Sequence, residues 1–106
     1  MATYLMLCNF TEQGIRNVKE TTNRADAVRE MAKRYNVTTK EIYWTLGQYD
    51  VAALFDAADD SAITALALTL GAMGNVRTQI LRAFTQPEIK SIIGKVGTPE
   101  REPANA

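Results

Sequence analysis

The chain has 106 residues, of which 46% are hydrophobic, and its 12 basic residues balance its 12 acidic residues. This length and composition predict one domain with a hydrophobic core and exclude a disordered chain. The zero net charge argues against a nucleic-acid-binding or anionic-membrane-binding surface, so neither partner is expected. The chain has no histidine, the commonest general base. We expect no metal and no cofactor.

The cysteine content and the hydropathy of the sequence indicate where in the cell the protein is expected. The single cysteine, Cys8, excludes an intramolecular disulfide. The sequence contains neither a basic segment followed by an apolar run at its start nor a stretch long enough to cross a bilayer. We therefore expect a cytoplasmic protein.

The first third of the chain predicts a strand and a helix. Thr3 to Phe10 is a nearly continuous apolar run whose alternate residues are apolar on both faces, which is typical of a central strand covered on both sides. Residues 11–20 favour a loop or a short helix. Thr22 or Asn23 is a candidate N-cap for a longer helix that ends at Asn36 in a left-handed conformation. The apolar stripe of this helix is Ala25, Val28, Ala32 and Tyr35.

Residues 41–56 predict a β-hairpin with its turn at residues 46–50, around Gly47. The expected register places Tyr43, Thr45 and Asp50 on one face of the sheet, which is the more polar face and can line a cavity. The opposite face is predicted to be an ordinary core face. It comprises Ile42, Trp44, Leu46, Val51, Ala53 and Phe55. Trp44 can stack a planar ligand, although core packing is the commoner role of such a residue.

The second half of the chain predicts a helix, a strand and a further helix. Asp59 and Asp60 suit the start of a helix over residues 61–73, with Gly74 as its C-terminal cap. The core stripe of this helix is Ile63, Leu66, Ala67, Leu70 and Met73. Its other side is also apolar, which indicates deep burial or contact with another subunit. Residues 75–85 predict the fourth strand, and Pro87 fits the first turn of a C-terminal helix. Residues 97–106 are expected to be a disordered tail.

The order strand, helix, strand, strand, helix, strand predicts an α+β, ferredoxin-like single domain over residues 1–96. This arrangement has a four-stranded antiparallel sheet with both main helices on one face. Such a subunit leaves the other sheet face open, so we expect a two-fold homodimer with sheet facing sheet, and further association through the helices is an open alternative.

Three stretches resemble the GYD domain family. They are Y-W-T-L-G-Q-Y-D-V-A-A-L-F-D, A-L-A-L-T-L-G-A-M-G-N-V-R-T-Q and N-F-T-E-Q-G-I-R, and the resemblance covers about residues 2–85. The family is similar in fold to the dimeric α/β-barrel proteins, which implies a ferredoxin-like subunit whose open sheet face meets that of another subunit. The resemblance implies no particular catalytic activity.

Five residues are candidate ligand-binding residues: Tyr43, Thr45, Asp50, Arg77 and Trp44. In a catalytic hypothesis, Asp50 is a base and Arg77 holds an anion. The favoured alternative is a structural ion pair or a hydrogen bond within the turn. Cys8 is interpreted as a small buried hydrophobe. No catalytic residue is assigned.

Three aspartates near the end of the hairpin, Asp56, Asp59 and Asp60, lack the spacing of a calcium-binding loop. Strand-end and helix-cap roles explain them.

Two functional hypotheses remain for the protein. The first is a homo-oligomeric structural or small-ligand-binding protein, and the alternative is a cofactor-independent enzyme acting on a small organic molecule in the barrel cavity.

Overall fold

The computed structural model describes residues 1–97 of the chain. The elements are β1 (Ala2–Phe10), α1 (Glu12–Arg16), a 3-10 turn (Val18–Glu20), α2 (Thr21–Arg34), β2 (Thr38–Trp44), β3 (Val51–Ala57), α3 (Asp60–Ala72), β4 (Val76–Ala83) and α4 (Gln86–Ile93). The predicted order of the main elements is confirmed. The predicted disordered tail lies, apart from Gly97, outside the described residues.

The four strands form one antiparallel sheet in the order β2-β3-β1-β4. Strand β1 is central, as its two apolar faces predicted, and it is hydrogen-bonded to β3 along one edge and to β4 along the other. Helices α2 and α3 cover one face of the sheet. We call the other face the open face. The domain therefore has the predicted ferredoxin-like α+β architecture.

The hydrophobic core lies between the helices and the sheet. Even-numbered residues of β1, including Tyr4 and Met6, face the helices and pack beside Phe55 of β3. The buried side chains of the helices are Ala25, Ala32, Ile63, Leu66, Ala67 and Leu70. Four members of the predicted α3 stripe are therefore buried. The fifth, Met73, was placed wrongly, because the helix ends there and its side chain is half exposed.

The helix ends follow the predicted capping chemistry only in part. Helix α2 begins at Thr21, earlier than Thr22 or Asn23 would place it, because it continues directly from the 3-10 turn and has no side-chain cap. At its other end Asn36 has φ 56°, which confirms the left-handed conformation. Asp59 caps α3 by accepting a hydrogen bond from the Ala62 N–H at 2.9 Å.

Helix α4 projects apolar side chains into solvent. It starts with a capping box in which the Thr85 and Glu88 side chains bond each other's backbone N–H groups. Arg82 of β4 lies 3.3 Å from the Glu88 carboxylate. Three of the helix's apolar residues, Ile89, Ile92 and Ile93, are exposed. Within residues 1–97, no helix is long and apolar enough to cross a membrane.

A close backbone contact joins the segment after β1 to the segment before β4. The Thr11 N–H donates to the Asn75 carbonyl at 3.0 Å, and the Thr11 hydroxyl donates to the Gly74 carbonyl at 2.5 Å. Gly14 lies so close to this contact that a Cβ atom there would be 1.9 Å from the Asn75 oxygen. Only glycine fits at this position without moving one backbone away from the other.

We expect Gly14→Ala to lower the free energy of unfolding by about 2–3 kcal/mol, because the new methyl group overlaps the Asn75 carbonyl. Gly71→Ala is the matched control. Gly71 lies in α3 with no atom near its missing Cβ, so this change should raise stability by about 0.5–1 kcal/mol. Urea denaturation measures both, and equal effects of the two substitutions would contradict the close contact.

Candidate functional site

The connection between β2 and β3 spans residues 45–50 and is closed by its own hydrogen bonds. The Thr45 N–H donates to the Asp50 carbonyl at 2.9 Å, and the Thr45 hydroxyl donates to the Tyr49 carbonyl at 2.5 Å. Gly47 has φ 123°, a conformation that favours glycine. Thr45 and Asp50 therefore lie in the connection and do not share a strand face with Tyr43. The core placement of Leu46 was wrong, because its side chain is 104% exposed.

Asp50 attaches this connection to β1. Its N–H donates to the Cys8 carbonyl at 2.9 Å, and its carboxylate accepts the Phe10 N–H at 2.9 Å. These two bonds continue the β1–β3 pairing beyond the last paired residues, Cys8 and Val51. The carboxylate thus replaces a strand carbonyl as the acceptor, which supports the structural interpretation of Asp50.

Arg77 lies on the open face, where β4 pairs it with Asn9 of β1. Asp50 and Arg77 therefore flank opposite edges of β1 near the same end of the sheet. Within residues 1–97, no ion pair joins them, since every salt bridge of the described chain involves other residues. The proposed Asp–Arg pair does not form in the single subunit.

A recess on the open face surrounds Arg77. The Tyr49 hydroxyl donates to the Gln79 side-chain oxygen at 2.8 Å, so the 45–50 connection extends across β1 to β4. The recess is open to solvent in the single subunit and has a volume of about 310 Å³. Its lining comprises Leu7, Asn9, Gln48, Tyr49, Arg77, Thr78 and Gln79. We call it the open-face recess.

The remaining two candidates lie on opposite faces of β2. Tyr43 pairs with Ala52 on the open face and is half exposed. Trp44 pairs with Val51 on the helix face, where its indole N–H donates to the Thr21 hydroxyl at 3.0 Å. The five candidates therefore do not form one site, and only Arg77 lines the open-face recess.

Sequence reasoning did not select Asn9, Tyr49 and Gln79, which contribute to the recess beside Arg77. Tyr49 carried a signal, because it is the tyrosine of the Gly47-Gln48-Tyr49-Asp50 turn. Asn9 and Gln79 carried none, because their proximity depends on the pairing of β1 with β4, two segments far apart in the chain.

The three aspartates after the hairpin have structural partners. Asp56 accepts a hydrogen bond from the Thr3 hydroxyl at 3.0 Å, and Asp60 accepts one from the Tyr4 hydroxyl at 2.6 Å. Asp59 caps α3. In the part of the chain that the structure describes, no cluster of acidic and cysteine residues is suited to a metal ion.

Cys8 is buried on the helix face of β1 and is 6% exposed. Burial raises the pKa of its thiol from 9.0 to about 11. A thiol with such a pKa is almost fully protonated at neutral pH and is therefore a poor nucleophile. This supports the interpretation of Cys8 as a buried hydrophobe.

Comparisons with known proteins agree with the fold. The family profile of the GYD domain matches residues 4–93. The chain belongs to the GYD domain family. Its structure is similar to the crystal structure of TTHA0845 from Thermus thermophilus, with a TM-score of 0.51 and 25% sequence identity over 80% of this chain and 95% of that one. No curated protein matches the chain.

We expect Asp50→Ala to lower the free energy of unfolding by about 1–3 kcal/mol, because the Phe10 N–H loses its acceptor. Asp50→Asn should cost less, since its amide oxygen still accepts this hydrogen bond. Thermal or urea unfolding measures both. Equal losses for the two variants would instead assign the stabilisation to the negative charge.

Cys8 should react slowly with a bulky thiol reagent in the folded protein at neutral pH and quickly in denaturant. The raised pKa also has a consequence for stability. The contribution of the protonated thiol is fully present below about pH 9 and is lost as the pH rises toward about 11, because deprotonation then favours the unfolded chain. Fast labelling of the native protein would contradict the burial of Cys8.

Proposed function

We propose that this GYD domain is a homo-oligomeric, small-ligand-binding protein whose basic unit is a two-fold dimer, with open face against open face. The observation that carries the proposal is a row of three leucines across the open face. Leu5 of β1 pairs with Leu54 of β3 on one side and with Leu81 of β4 on the other. Leu7 extends this apolar surface toward the recess.

Polar residues surround the leucine row. Glu41 of β2 continues the row at one edge, and Asp56 and Lys40 form an ion pair at 3.5 Å near one end of β3. Arg77 and Asn9 lie toward the other end of β1. An apolar centre with a polar rim is the usual composition of a protein interface. An obligate interface of this kind buries on the order of 2,000 Å² or more.

The rest of the subunit supports a second copy as the partner of this face. Helices α2 and α3 pack against the other face of the sheet and do not cover the open face, and α4 leaves its isoleucines exposed. A monomer would therefore present two apolar surfaces to water, which soluble monomers rarely do. Two copies related by a two-fold axis shield both open faces with one contact.

The same association encloses the open-face recess between two sheets. Its polar groups, Asn9, Arg77 and Gln79, would then line an interior cavity together with the hydroxyl of Tyr49. An arginine in a partly dehydrated cavity favours a ligand with an anionic group. We propose a small anionic organic molecule as the ligand of this cavity.

The enzymatic alternative has weaker support. Acid–base chemistry on a small molecule requires a base whose lone pairs are free to reach the substrate. The Asp50 carboxylate, the candidate base, already accepts the Phe10 N–H and lies across β1 from Arg77. The recess contains an anion-binding group without an adjacent carboxylate, so we favour binding over catalysis.

We expect Leu54→Arg to convert the dimer into a monomer, because it places a charge in the middle of the leucine row. Leu68→Arg is the matched control. Leu68 is 70% exposed on α3, on the opposite side of the subunit, and its replacement should leave the dimer intact. Light scattering at micromolar concentration measures both variants.

A monomeric wild-type protein would refute the proposed dimer. Loss of the dimer in Leu68→Arg, but not in Leu54→Arg, would assign the contact to the helices.

Native mass spectrometry of protein purified from its own host tests the ligand. A dimer of the wild-type protein that carries an added mass, which is lost in Arg77→Gln, supports the proposed ligand. A wild-type dimer without any added mass contradicts ligand binding.

A further inference from the structure

A second cavity lies on the other side of the sheet, between the helices and the strands. It is located where the start of α2 and the end of α3 lie over the ends of β1 and β2. Its volume is about 120 Å³. A single water requires roughly 10–15 Å³ on this scale, so the space holds a molecule of several non-hydrogen atoms.

The walls of this cavity are almost entirely apolar. Met6 and Cys8 form its floor on β1, and Ile42 and Trp44 line it from β2. Met31 of α2 and other aliphatic side chains close it from the helix side. Water in such a space has few hydrogen-bond partners, whereas a hydrocarbon group gains contacts along its whole length. The walls therefore favour an apolar ligand body.

A few polar side chains line part of this cavity, and two of them already form hydrogen bonds within the protein. The Thr21 hydroxyl accepts the Trp44 indole N–H at 3.0 Å. The Asn75 side-chain oxygen accepts a hydrogen bond from the Gln13 amide at 3.0 Å. Neither side chain carries a charge, so neither selects an ion.

Arg24 is the exception. It lines the cavity from the first turns of α2, and its guanidinium donates to the Asn17 carbonyl at 3.2 Å. Among residues 1–97, no carboxylate lies within salt-bridge distance of it, whereas Arg16, Arg29 and Arg82 each have an acidic partner. A guanidinium has five N–H donors in a planar arrangement that matches a carboxylate. An arginine at an apolar cavity, with no carboxylate partner among residues 1–97, therefore favours a carboxylate with a hydrocarbon body.

We propose that this cavity binds a small hydrophobic monocarboxylic acid, with its hydrocarbon chain against Met6, Ile42 and Trp44 and its carboxylate on Arg24. The cavity corresponds to roughly eight to twelve water-sized spaces, which is enough for a six-carbon acid with its eight non-hydrogen atoms. The site lies on the helix face, whereas the open-face recess lies on the opposite face. It therefore does not depend on the dimer or on the ligand of the recess.

Trp44 is the single tryptophan of the chain and lines the cavity, so its fluorescence reports binding directly. Titration of the full-length protein with hexanoate should change this fluorescence with saturation in the millimolar range or below. Butanoate should bind roughly tenfold more weakly, because two methylene groups are removed from the apolar contact. Hexan-1-ol and hexylamine, which have the same chain without the negative charge, should bind more weakly than hexanoate.

Arg24→Gln should weaken hexanoate binding by roughly tenfold or more and leave hexan-1-ol binding unchanged, because only the acid uses the guanidinium. Arg24→Lys should restore part of the affinity. Arg29→Gln is the matched control on the same helix, since Arg29 pairs with Asp26 outside the cavity, and it should bind like the wild type. An absent fluorescence response to hexanoate would overturn the proposal. Equal binding of hexanoate and hexan-1-ol, or an unchanged affinity in Arg24→Gln, would overturn the carboxylate assignment.

Discussion

The pairing of β1 along both of its edges is the constraint on which the rest of the structure depends. Because β3 and β4 both bond to β1, its side chains determine the composition of the two sheet faces at their centre. Its even-numbered residues, such as Met6, lie in the core beneath the helices. Its odd-numbered residues Leu5 and Leu7 form the centre of the open face. Both the fold and the proposed dimer therefore follow from one strand that is apolar on both sides.

The sequence predicted the architecture well because strand and helix signals are local. The apolar run at residues 3–10 identified the central strand, and Asn36 and Gly74 marked helix ends by conformations that most residues avoid. Prediction was less accurate where a boundary depended on a neighbouring element. Helix α2 starts early because a 3-10 turn leads into it, and Met73 lies outside the core because α3 ends beside it.

The candidate site was harder to predict for a physical reason. Strand alternation correctly placed Tyr43 and Trp44 on opposite faces, but it does not extend into an irregular connection, so it misplaced Thr45, Leu46 and Asp50. The open-face recess also depends on the distant pairing of Asn9 with Arg77. Such a pairing has no local sequence signal, because it is fixed by the packing of the whole sheet.

A second copy of the chain should cover the open face, and hydroxyl-radical footprinting of the wild-type protein tests this most directly. In the single subunit, Tyr43 and Leu81 on the open face are 56% and 39% exposed. Leu68 and Met73 on the helix side have comparable or greater exposure and serve as internal references. We expect Tyr43 and Leu81 to be protected from oxidation while Leu68 and Met73 react freely, and we expect dilution into the monomer range to remove this protection. Oxidation of Tyr43 and Leu81 in proportion to their exposure in the single subunit, at every concentration, would contradict it.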